Sequence, residues 1–175
     1  GILEDKNHTL WLGSASSGLI RYDQHKFLNY NKQYGLTSRY IRCMAETENN
    51  IWYGSASDGI FRIIEKEDTV LYDYINEEKG LSSDNIYLMY YDTRKNLWCG
   101  TEKGIDKIIF DENGEIDTIY NYTANEGFFG IETNINGVYE DQDGNIWFGT
   151  VDGATRYNPE KDLQNTLENN THITS

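Results

Sequence analysis

Residues 86–109 read IYLMYYDTRKNLWCGTEKGIDKII, and a short pattern is legible in that stretch. The run from Ile86 to Asp92 is rich in aromatic and large aliphatic residues and sustains no i, i+3, i+4, i+7 stripe, so it predicts a strand. DTRKN is a polar turn cluster, WCGT at Trp98 starts a second strand, and Gly104 opens a third apolar run, GIDKII. EIDTIYNY from Glu115 supplies a fourth. Four short antiparallel strands joined by tight turns make one blade of a β-propeller when the set recurs about every 40–50 residues.

The set does recur. WLGS at Trp11, WYGS at Trp52, WCGT at Trp98 and WFGT at Trp147 hold all four tryptophans of the chain, at intervals of 41, 46 and 49 residues. Each motif has its own glycine, Gly13, Gly54, Gly100 or Gly149, and a second glycine follows at Gly18, Gly59, Gly104 and Gly153. The first glycine lets neighbouring backbones approach, and the second restarts the chain after a tight corner. Upstream stand the turn clusters DKNHT, TENN, DTRKN and DQDGN, preceded by ILE at Ile2, IRCMAE at Ile41, IYLMYYD at Ile86 and INGVYED at Ile135. Asn49-Asn50 and Asp143-Gly144 suit hairpin turns that need positive φ. Outer strands are expected at Phe27 and Val70 as well as Glu115. Each tryptophan reads as a wedge between adjacent blades, burying on the order of 150–250 Å², before it reads as a ligand platform. The fold expected is all-β, a β-propeller fragment of about four four-stranded antiparallel blades. Its units are approximately 1–34, 35–79, 80–126 and 127–158, with 159–175 as a C-terminal tail.

Composition fits one propeller segment. The 175 residues carry 15 Lys+Arg against 29 Asp+Glu, a net charge of −14, which argues against nucleic acid or an anionic membrane surface as the main partner. Only 38% of residues are hydrophobic, yet 4 Trp, 14 Tyr and 6 Phe can bury a core that so few aliphatics could not. No apolar run approaches the roughly 18 residues of a membrane span, and no signal-peptide pattern opens the chain, so the fragment itself is expected to be soluble. The lone proline, Pro159, stands where the repeat stops.

The pattern LW-x-G-[ST]-x(3–4)-G-[LI]-x-x-[YI], preceded by a polar turn and followed by GLTS at Gly35 and GLSS at Gly80, resembles the regulator-propeller repeats of bacterial two-component sensors. These are typical of the extracytoplasmic half of the hybrid two-component systems of Bacteroides-type gut bacteria. The resemblance runs from Ile2 to about Asn158. It implies a parent chain with two seven-bladed propellers, an immunoglobulin-like domain, a transmembrane helix, a histidine kinase and response-regulator modules. It also implies a periplasmic location and a role in sensing glycan-derived oligosaccharides. The stretch from Gly127 to Pro159 resembles the last blade of the second propeller, and THITS (Thr171 to Ser175) resembles the start of the immunoglobulin-like domain. Two departures stand out: four units are too few for a seven-bladed ring, and the fourth has no convincing outer strand. An open set of blades exposes sheet faces, so a homodimer or other self-association is expected.

Catalytic chemistry finds little support. His8, His25 and His172 fall in a turn, a loop and the tail, and carboxylate pairs such as Glu46/Glu48 and Glu77/Glu78 sit in turns or links. DENGE at Asp111 and DQDGN at Asp141 lack the spacing of a calcium loop, and Cys43 and Cys99 have neither zinc spacing nor equivalent places in the repeat. GSASSG and GSASDG lack the lysine of a phosphate loop. No catalytic residue, metal or cofactor is expected. Ligand contacts are sought instead where the links break the repeat: Arg39 and Tyr40, Asp84 and Asn85, and Phe128, Phe129 and Glu132. Aromatic rings there could stack on sugar faces while the polar groups bond hydroxyls. The same residues could equally pack or cap their own blades. Three functions remain open: a ligand-binding sensor module, a scaffold for dimerisation or protein interaction, and a propeller enzyme with acids lining several inner strands.

Overall fold

The structure, a computed structural model, describes residues 1–30, 35, 36, 38, 40–48, 50–66, 69–130 and 132–162. Arg39, Asn49, His172 and the THITS tail lie outside the described residues. The first sheet holds β1 (Ile2–Glu4), β2 (Leu10–Gly13), β3 (Leu19–Tyr22) and β4 (Phe27–Tyr30). The second holds β5 (Ile41–Glu46), β6 (Ile51–Ser55), β7 (Ile60–Lys66) and β8 (Thr69–Ile75). The third holds β9 (Ile86–Tyr91), β10 (Leu97–Thr101), β11 (Ile105–Phe110) and β12 (Ile116–Tyr122). The fourth has three strands among the described residues, β13 (Thr133–Glu140), β14 (Ile146–Thr150) and β15 (Gly153–Tyr157). Every sheet runs in simple sequential order with antiparallel pairing, the up-and-down meander of a propeller blade. No helix of the described residues is long and apolar enough to cross a membrane.

The first strands of successive sheets lie side by side, β1 with β5, β5 with β9 and β9 with β13, and form the inner edge of an arc. The core lies between sheets. Trp11, Leu19, Tyr53 and Phe61 fill the gap between the first two; Cys43, Trp52, Ile86 and Cys99 fill the next; Trp98, Ile105, Ile146 and Phe148 fill the third. The residue after each tryptophan faces the preceding blade: Tyr53 meets Trp11 at 5.7 Å between centroids, and Phe148 meets Trp98 at 5.5 Å. Trp147 repeats the arrangement with no described sheet beyond it, and is 39% exposed where Trp52 and Trp98 are 1%.

Two glycine roles are visible at single positions. A Cβ at Gly54 would stand 2.5 Å from Cys43 Sγ and 2.8 Å from Ile86, so the second sheet packs on the third only because that site is bare. Gly104 has φ 138°, and a Cβ there would collide with the Tyr122 carbonyl at the corner into β11.

Candidate ligand-binding mouth

Each sheet has two ends with different chemistry. At one, the hairpins between first and second strands are held by a repeated aspartate. Asp5, Asp92 and Asp141 each take two hairpin amides on Oδ1 and the indole N–H of the tryptophan six residues on, at 2.9, 2.7 and 2.8 Å. The indole bond from Trp147, with further hydrogen bonds from Asn145 and Asp143, pulls the Asp141 carboxyl down to about 2. The second sheet departs: its hairpin is one residue shorter, Thr47 stands in the aspartate's place, and Trp52 Nε1 is buried with no acceptor among the described residues. A cation lies over each indole from the third strand: Arg21, Arg62, Lys107 and Arg156, at 5.8, 5.2, 5.6 and 5.6 Å. Arg62 reaches forward to Glu115 and Gly114 of the next sheet, and Lys107 to Tyr157 and Asp162. Tyr157 and Tyr122 both bond Asp162, and burial together with that carboxylate pushes both phenols up. The acidic clusters are thus structural clamps. Sequence reading saw a polar turn and missed the pairing, although Asp six before Trp and a cation nine or ten after it were both legible.

Inner-strand acids are engaged in the same way. Glu46 accepts the Lys6 amide at 3.1 Å, and Glu140 accepts the Thr93 amide at 3.0 Å and the Tyr90 hydroxyl at 3.2 Å, so each latches the preceding hairpin. Among the described residues no group of three or more His, Cys, Asp or Glu could hold a metal.

The opposite end receives the links. The residue after each link's first glycine is buried: Leu36, Leu81 and Phe128. Phe128, 6% exposed and packed edge-on against Phe148, takes the core place of the GL leucine. Phe129 is 80% exposed. Asp84 is occupied: its carboxylate accepts the Glu77 amide at 2.7 Å, and its carbonyl accepts the Gly59 amide. Beneath this link the buried Asp106 accepts from Ser82 N, Ser82 Oγ and Asn121 Nδ2, and burial raises its carboxyl to about 6 against those bonds.

Strand register brings three expected residues to one place. Ile41, Ile86 and Thr133 pair with Ser55, Thr101 and Thr150 of their W-x-G-[ST] motifs, so Tyr40, Asn85 and Glu132 occupy equivalent positions at the mouth. Arg42, Tyr87 and Asn134 follow two residues later, each beside a register irregularity of its first strand. Arg42 and Tyr87 were missed because alternation along a strand marks a face and not its neighbours. The Arg42 guanidinium lies 5.0 Å from the Tyr40 ring and 4.7 Å from the Tyr87 ring, and Nη1 donates to Asn85 Oδ1 at 2.5 Å. Asn85 Nδ2 in turn donates to the Tyr87 hydroxyl at 3.3 Å. The mouth therefore presents phenol rings with planar donors and acceptors between them, the chemistry that suits a sugar's faces and hydroxyls.

The fold and its repeats define a β-propeller segment. More specifically, residues 80–103 and 130–152 match the family model described as Two component regulator propeller. The extracellular domain of a putative hybrid two component system from B. thetaiotaomicron superimposes with a TM-score of 0.75 at 21% identity, covering 91% of this chain and 21% of that one. A second such extracellular domain from the same organism gives 0.70 at 23% identity, over 91% and 23%. A virginiamycin B lyase from Staphylococcus aureus gives 0.59 at 14% identity, over 89% and 54%. The chain thus spans about a fifth of the length of the first two. No curated protein matches the sequence.

Proposed function

We propose that this chain is part of the extracytoplasmic sensor region of a membrane-anchored hybrid two-component histidine kinase. In this hypothesis a glycan-derived oligosaccharide binds at the mouth, and the resulting shift in population is read by a kinase outside the chain. The observation that carries the reading is the equivalence of Tyr40, Asn85 and Glu132, three unlike link residues set at one place in consecutive blades. Core positions repeat their chemistry from blade to blade, whereas these vary, as a surface fitted to an asymmetric ligand would. The repeats and the likeness to extracellular domains of two-component systems support it. The test is a calorimetric screen of oligosaccharides against the chain and against Tyr40→Ala, Asn85→Ala and Glu132→Ala. A ligand that binds the chain and weakens in all three variants supports the reading; binding indifferent to all three opposes it.

A second reading, a scaffold for self-association, is favoured by the open faces at the two ends of the arc. Trp147, Tyr139 and Val151 are exposed on the fourth sheet, and Ile2 and Phe27 on the first. Light scattering that finds a stable monomer at high micromolar concentration would rule this out.

A further inference from the structure

We propose that the mouth is built for a ligand bearing an oxyanion, a carboxylate or a sulfate ester on a sugar, and that Arg42 receives it. This deepens the oligosaccharide reading above and rests on it for the sugar part alone.

Half-buried Arg42 differs from the buried cations Arg62 and Lys107. Arg62 is neutralised by Asp73 and Glu115, and Lys107 by Asp162. The Arg42 guanidinium has no carboxylate within 4.0 Å among the described residues, and its one polar partner there is the neutral Asn85. Nε is shielded from solvent and has no acceptor among the described residues. In a chain with 29 acids and 15 bases, an internal counter-ion would be easy to supply. Its absence among the described residues, beside a half-buried guanidinium with a shielded Nε, leaves the charge to be met from outside.

The geometry suits that role. Asn85 holds Nη1, and the guanidinium lies over the Tyr40 and Tyr87 rings, which restrict its plane. The edge not used by Asn85, Nε with Nη2, is the fork that binds two oxygens of a carboxylate or sulfate side by side. Nε is shielded, so a ligand must displace a neighbour to reach it, and Tyr40, 42% exposed and stacked on the same guanidinium, is the neighbour this proposal requires to move. A sugar without the oxyanion leaves the guanidinium uncompensated. Discrimination between charged and neutral forms of one sugar should therefore be on the order of tenfold or more.

The test follows the Arg42 Nε–Hε resonance by NMR while the chain is titrated with glucuronate, glucose 6-sulfate or methyl glucoside. Saturable movement with glucuronate or glucose 6-sulfate, at least about tenfold tighter than with methyl glucoside, supports the proposal, and the better probe tells carboxylate from sulfate. In Arg42→Lys and Arg42→Gln, followed on the Asn85 side-chain amide, the preference for the charged sugar should disappear. If neither charged sugar moves Arg42, or if the preference survives in both variants, the proposal is overturned. Neutral oligosaccharides that bind through Tyr40, Asn85 and Glu132 with no advantage for charge would overturn it while leaving the sensor reading intact. Charged sugars that engage Arg42 when no oligosaccharide gains from Tyr40 or Glu132 would do the reverse.

Discussion

Trp52 and Trp98 occupy the same place in consecutive repeats and are equally buried, yet replacing each by phenylalanine should have very different consequences. Both substitutions shrink a ring in a packed interface, at about 2 kcal/mol. Both also weaken a cation stack, from Arg62 at 5.2 Å and Lys107 at 5.6 Å. What differs is the indole N–H. Trp98 donates to Asp92 at 2.7 Å, a hydrogen bond to a charged acceptor worth about 2 kcal/mol. Trp52 Nε1 has no acceptor among the described residues, so its removal relieves a buried donor whose penalty is about 1–3 kcal/mol. Trp98→Phe should therefore cost about 4 kcal/mol, and Trp52→Phe should lie within about 1 kcal/mol of neutral in either direction. Urea unfolding followed by far-UV circular dichroism would separate them by about 1.5–2.5 M in midpoint, for m near 2 kcal/mol/M. Fluorescence is unsuitable because the probe is the residue changed. Equal losses within about 1 kcal/mol, or a greater loss at Trp52, would refute the role given to the aspartate clamp.

Three further outcomes follow from other interfaces. Asp106 has a folded carboxyl raised to about 6, so the folded chain holds its proton where the unfolded chain has lost it. Its contribution to stability should fall as pH rises from about 4 to about 6, by on the order of 3 kcal/mol at most. Comparing urea midpoints of the chain and Asp106→Asn across pH 4–7 should show that slope only in the former, and identical slopes would count against it. Gly54→Ala should cost about 1–3 kcal/mol through its collision with Cys43 and Ile86. Gly149→Ala, whose new methyl would find nothing nearer than 3.6 Å, should change the melting temperature little. Cys43 and Cys99 are buried free thiols, the first pushed up to about 12 by burial, so a thiol reagent should label neither until the chain unfolds; rapid labelling of the folded chain would contradict their placement.

Much of the fold was legible because a propeller repeats itself in one dimension. W-x-G-[ST] marks the second strand, and the flanking glycines mark the corners, so strand order followed from position alone. What stayed hidden depends on contacts between repeats. The reach of Arg62 to Glu115 spans 53 residues and appears in no local pattern. Phe128 looked like a link residue free to meet ligand, because GF does not resemble GL until both are seen filling the same space. Tyr40, Asn85 and Glu132 were each singled out for breaking the repeat, but their common position at the mouth required the register of three sheets. In the sequence Arg42 reads as one polar residue in an alternating strand; its isolation from carboxylates among the described residues is a property of the surroundings.

The most direct measurement is a backbone amide NMR map of the chain titrated with the tightest oligosaccharide from the calorimetric screen. Shifts concentrated at residues 40–42, 84–87 and 132–134, with the hairpins at 5–9, 92–96 and 141–145 unmoved, are the predicted result. Shifts centred on those hairpins, or spread evenly over the blades, would contradict a ligand site at the mouth.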